Sequence, residues 1–230
     1  MRGIFLRAFA IVLAMTTSAA AANPAPYPGR DDVNFIYNLL FCDDPALFRG
    51  AHEAPDTPRG QILSDNPDPA RLAAIAADAG QESRTRALAY NWLRQNGHDV
   101  PKRILLGVIV EVPQDDGLDT MAAFTDGSVR YINQSGRMAV VEGNVAALKP
   151  TLTALFAASQ VVVNKIGPWD KARLPPPPKG NLRLTFLVSD GLYCGEGPMG
   201  DLARDPMAGP VFQQATHLLV QVTQMSDKPN

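Results

Sequence analysis

The chain has 230 residues, 46% of them apolar and 19% charged, with 21 basic and 23 acidic side chains and a net charge of −2. That length suits one large domain or two small ones. The mild acidic excess, with no run of more than two like charges, excludes the clustered basic surface that nucleic-acid binding needs, and no apolar stretch approaches the roughly 18 residues of a membrane span.

Residues 1–22 read as a secretory signal peptide. Arg2 and Arg7 give a positive start, 8–15 are apolar but too few to span a bilayer, and 18–22 offer the small residues of a cleavage site. No cysteine follows them, so a lipid anchor is not expected. The chain is expected to be periplasmic or secreted, with 23–230 as a single mature domain. Losing two arginines leaves 19 basic against 23 acidic groups, a net charge of −4. In an oxidising compartment Cys42 and Cys194 can form one disulfide, the alternative being two buried thiols.

Asp31 or Asp32 can cap a helix with Val33, Ile36, Tyr37 and Leu40 on one side. Asp44-Pro45 starts a short second turn, and 50–67 reads as a surface loop rich in Pro, Asp and Gly. Asp68-Pro69 opens a helix that Gly80 can stop; another helix is predicted over 81–96, ended by Gly97.

The period then changes. Residues 104–112 are apolar and β-branched, and 118–124 read as a second strand. Asp126-Gly127 lies between strand-like runs, a strong hairpin signal, and 129–133 and 138–141 complete a four-strand meander. A helix over 150–165, a proline-rich linker at 168–180 and a fifth strand over 182–188 follow. Residues 191–200 read as a loop. The segment 210–225 fits helical spacing, although 219–223 would also pass as a strand.

The candidate chemistry is sparse. Gly195 to Gly200 matches the string GxGxxG, but Pro198 removes an N–H where a phosphate needs donors, and the upstream strands are antiparallel. His52, His98 and His217 lie far apart without metal-ligand spacing; a site completed by Asp43, Asp44, Asp115 or Asp116 is the alternative to solvated histidines and loop acids, and no metal and no cofactor is expected. Cys194 with His217 would make a nucleophile and base only if the fold joins them, and a bond to Cys42 would remove that thiolate. Arg130, Tyr131, Asn133, Trp169, Asp190 and Tyr193 form the candidate binding set, a polar groove with aromatic walls. The plainer reading makes Asn133 turn chemistry and Tyr131 a packing residue.

The segments FTDGSVRYINQSG (124–136), GPWDKARLPPP (167–177) and SDGLYCGEGP (189–198) resemble an uncharacterised group of exported bacterial proteins. The likeness spans roughly 85–225 and implies a bacterial origin, with no activity, cofactor or partner attached.

The expected fold is α+β: a helical N-terminal part on a mainly antiparallel five-stranded sheet, with a four-strand meander, a helix, a fifth strand and a C-terminal helix. The expected function is a non-catalytic module that binds a small ligand or an envelope protein. The alternative is a small periplasmic hydrolase using Cys194 and His217 or an acid pair.

Overall fold

The structure is a computed structural model that describes residues 23–49, 53–143 and 145–226. The leader expected over 1–22, and His52, lie outside the described residues.

The fold is α+β, with helices flanking a six-stranded antiparallel sheet in the order β4-β3-β2-β1-β5-β6. Helix α1 (Asp31–Leu39) leads to a 3-10 turn (Pro45–Phe48), where the Asp44 side chain accepts from the Ala46 N–H at 2.9 Å. The stretch 50–67 is not all loop. Thr57 caps a short helix, α2 (Pro58–Ile62), by accepting the Gly60 N–H at 3.0 Å, and Pro58 sits where its missing N–H costs nothing. Asp68 caps α3 (Pro69–Ala77) in the same way. That helix ends before Gly80, whose N–H is taken by the Asp78 side chain. Helix α4 (Ser83–Gln95) stops at Gly97, which has φ +76°, a conformation that favours glycine.

The meander is β1 (Leu105–Pro113), β2 (Leu118–Phe124), β3 (Val129–Ile132) and β4 (Met138–Val141). After α5 (Lys149–Val163) and the proline-rich segment come β5 (Asn181–Val188) and β6 (Gly191–Pro198). The sixth strand corrects the loop expected at 191–200. As an edge strand with one outer face free of pairing, β6 tolerates Gly195, Gly197 and Pro198, and all eight of its residues pair with β5. The GxGxxG string is therefore strand and helix start, not a phosphate turn. A short α6 (Met199–Leu202) precedes α7 (Ala208–Ser226), so the ambiguous C-terminal segment is helix.

Strand alternation gives the sheet two different faces. Val108, Val110, Leu184 and Phe186 point to a largely apolar face, covered by α5 and α7 through Leu152, Leu155, Val211 and Leu218. The opposite face packs Ile109, Ala122, Phe124 and Leu187 against the N-terminal helices. Two residues beyond Ile109 on that face stands Glu111, with no exposed surface. Among the described residues no helix is long and apolar enough to cross a membrane.

The β2–β3 turn is also an anchor for a helix. Gly127 takes φ +90°, and Asp126 Oδ2 accepts the Ser83 N–H at 2.7 Å, capping α4 from 43 residues away. The Ser83 hydroxyl accepts the Asp126 N–H at 3.0 Å in return. Although burial opposes it, the hydrogen bonds from Ser128 and Ser83 hold the Asp126 carboxyl below its ordinary value. Its stabilisation is therefore present above the unfolded pKa and lost as pH falls through the depressed one. Asp126→Ala is expected to cost about 1–3 kcal/mol in urea unfolding near neutral pH, and the deficit should shrink in acid. An unchanged midpoint would show that the turn and α4 are not coupled.

Candidate functional site

The polar end of the face that packs against the N-terminal helices is built by strand register. Glu111 on β1 pairs with Arg183 on β5, and Thr185 on β5 pairs with Cys194 on β6. Alternation aims Glu111, Arg183, Thr185, Cys194 and Glu196 to one side. The segment 168–180 runs over them as a strap: the Trp169 N–H donates to the Leu192 carbonyl at 2.7 Å, and the Trp169 indole N–H donates to the Ala172 carbonyl at 3.0 Å. Prolines 175–178 fix φ along its second half and leave their carbonyls free to accept. Arg183 uses them, donating to the Pro175 carbonyl at 2.7 Å.

Beneath the strap lies a narrow pocket whose lining includes Tyr37, Glu111, Trp169, Arg173, Arg183 and Cys194. Tyr37 O–H donates to Glu111 Oε1 at 2.6 Å, so that oxygen is satisfied. Glu111 Oε2 has no hydrogen-bond partner among the described residues; its nearest cation, Arg183 Nη1, is 3.7 Å away. Arg183 spends its other nitrogens on Glu196 Oε2, at 2.9 and 2.5 Å. Arg173 pairs with Asp43 at 2.6 Å, donates to Asn38 Oδ1 at 2.7 Å and lies 4.2 Å over the Phe41 ring. Its Nη1 also lacks a partner among the described residues. Two residues that line the pocket therefore carry an unmet polar atom each, an acceptor on Glu111 and a donor on Arg173, and Asp43 Oδ1, on the ion-pair partner of Arg173, is a further unmet acceptor.

Burial raises the Glu111 carboxyl above its ordinary value, against the pull of the Tyr37 hydrogen bond and the two guanidiniums. Burial likewise raises Asp43, over the opposing Arg173. The Tyr37 hydroxyl is pushed up, first by burial and then by the neighbouring Glu111. Cys194 is half-buried with its thiol raised by desolvation, which keeps it protonated at neutral pH.

Of the expected binding set, only Trp169 lines this pocket. Arg130 is buried on β3, where it donates to the Val129 and Val141 carbonyls and to Glu142 at 3.1, 3.0 and 2.6 Å. Tyr131 faces the other side of the sheet beside Asp119 and Phe212, and burial with Asp119 pushes its hydroxyl up to about 12. Asn133 serves its own turn, accepting from Ser135 and Arg137. Asp190 accepts from Tyr193 O–H at 2.9 Å and from the Arg103 N–H at 3.0 Å at the β5–β6 turn. The six do not converge on one groove.

The cysteines are not bonded. Cys42 is buried in a neighbouring cavity with Asp43, Ala87 and Leu187, its thiol turned toward the Leu39 carbonyl at 3.6 Å. Burial pushes that thiol up to about 12. Cys194 and His217 lie on opposite sides of the sheet, since α7 covers the apolar face, so they form no nucleophile–base pair. Among the acids, Asp43 pairs with Arg173, Asp44 caps a turn and Asp115 pairs with Lys179 at 2.6 Å. Among the described residues no group of three or more His, Cys, Asp or Glu gathers as a metal site.

Glu111, Arg173 and Arg183 escaped the sequence reading. A lone acid inside the apolar run 104–112 was the available signal, and so was Arg183 alternating with Leu182 and Leu184. No family model matches the chain, and no curated protein matches it.

The raised Glu111 pKa has a testable sign. A folded value above the unfolded one means that stability falls as pH rises from the ordinary value of 4.5 through the raised one. Glu111→Gln removes that loss. Urea unfolding should find the variant close to the parent near pH 4 and progressively more stable than it toward pH 7. A gap that moves the other way would mean that the pocket favours the ionised carboxylate.

Proposed function

We propose that the chain is an exported, non-catalytic binding protein, with a small ligand held beneath the proline-rich strap. The observation that carries this reading is Glu111 Oε2, an oxygen with no exposed surface and no partner among the described residues, facing a pocket. A buried polar atom left unpaired costs about 1–3 kcal/mol, and more when charged, so a site that keeps one is relieved when a ligand supplies the missing bond. Arg173, which also lines the pocket, carries a second unpaired buried atom at Nη1. The strap gives the site an aromatic wall and a roof with no regular hydrogen-bond ladder of its own.

Export is supported by the composition of residues 1–22. The absence of catalysis is supported by the chemistry of Cys194. Its thiol is held protonated, and the expected base stands across the sheet.

Trp92, the chain's other tryptophan, stacks on His98 with centroids 5.9 Å apart, so Trp92→Phe leaves Trp169 as the sole reporter. A screen of small amino acids, amides, amines and carboxylates in that background should find at least one class that changes Trp169 emission saturably and raises the melting temperature. Glu111→Gln should weaken that response. No binder at about 10 mM, which lies above the roughly millimolar limit for small head groups, or a binder indifferent to Glu111, would refute the pocket.

A further inference from the structure

The chemistry of the pocket also specifies its ligand, an inference that rests on the binding reading above. Glu111 Oε2 needs a hydrogen donor, and Arg173 Nη1 needs an acceptor. A simple ammonium would satisfy Glu111 but sit among the Arg173 and Arg183 guanidiniums and leave Nη1 unmet. A simple carboxylate would satisfy Arg173 but meet Glu111 as a like charge. A zwitterion would satisfy both, at the cost of carrying two full charges into a site where the Glu111 side chain is 0% exposed and the Arg183 side chain 7%. A neutral group with an N–H and a carbonyl on one carbon meets both orphans without that cost. We propose that the pocket recognises a primary carboxamide, its N–H donating to Glu111 Oε2 and its carbonyl accepting from Arg173 Nη1. The space is about 20 Å³, so it admits no more than the amide head group itself.

The amide has two sources, a free small molecule and a glutamine side chain on a peptide, and the probes separate them. Acetamide, acetate, ethylammonium and glycine, all nearly the same size, are titrated into the full chain. The Trp169 indole and Cys194 amide signals are followed by NMR. Acetamide should saturate with a roughly millimolar dissociation constant, at least about tenfold below the other three. A capped Gly-Gln-Gly peptide that matches or exceeds acetamide assigns the amide to a side chain. Exclusion of the peptide assigns it to a free molecule. Both outcomes support the proposal.

Glu111→Gln gives the sharper test. The Gln carbonyl can keep the Tyr37 hydrogen bond, which turns its NH2 to the pocket, so the site then offers donors only. Its preference should switch from acetamide to acetate. Preference of the parent for glycine, ethylammonium or acetate would overturn the carboxamide while leaving a binding pocket. Silence with all four probes would also overturn it, and the wider screen would then decide the pocket separately.

Discussion

A carboxyl group with no exposed surface sits on a central strand of the sheet, and much of one face is arranged around it. Glu111 lies between β2 and β5, bonded on one oxygen to Tyr37 from α1 and faced on the other by Arg183. Removing a carboxylate from water costs several kcal/mol unless partners replace the lost solvent. Here the replacement is incomplete. That shortfall separates this cluster from Arg130 and Asp190, whose bonds go to neighbouring strand and loop groups.

Arg183 shows how the cluster is held together. It ties β5 to β6 through Glu196 and ties both to the strap through the Pro175 carbonyl. Arg173 does the same from the strap side, reaching Asp43 and Asn38 on the helical layer and covering Phe41. The two arginines therefore fasten strap, sheet and helices beside the unpaired Glu111 Oε2 and Arg173 Nη1. The face under α5 and α7 is largely apolar by contrast. It is a packed support, and it keeps His217 away from Cys194.

Much of the architecture was legible because the signals were local and redundant. Asp68-Pro69, Asp126-Gly127 and Gly97 each carry a start, turn or stop whose chemistry does not depend on distant contacts, and the structure places all three as expected. What escaped was what register creates. Strand β6 is poor in β-forming residues and is a strand because β5 offers it an edge. Thr57-Pro58 was a readable helix start lost in a Pro- and Gly-rich stretch. The site was hidden for the same reason as β6. Glu111 and Arg183 are 72 positions apart and meet only through antiparallel pairing, while Arg173 sits in a linker with no periodicity to place it. Of the two states open to Cys42 and Cys194, a bridge or two thiols, the structure has the thiols, Cys42 buried against the Leu39 carbonyl and Cys194 half-buried on β6.

The central claim is that the space at Glu111 Oε2 is a ligand's place and not a packing gap. A crystal structure at about 1.5 Å of protein purified from its native compartment, without dialysis against denaturant, tests it most directly. The account predicts planar density larger than a water, within hydrogen-bond distance of both Glu111 Oε2 and Arg173 Nη1. Arg183 Nη1 closed onto Glu111 Oε2 at an ordinary hydrogen-bond length, or a lone water bridging the two orphans, would contradict it.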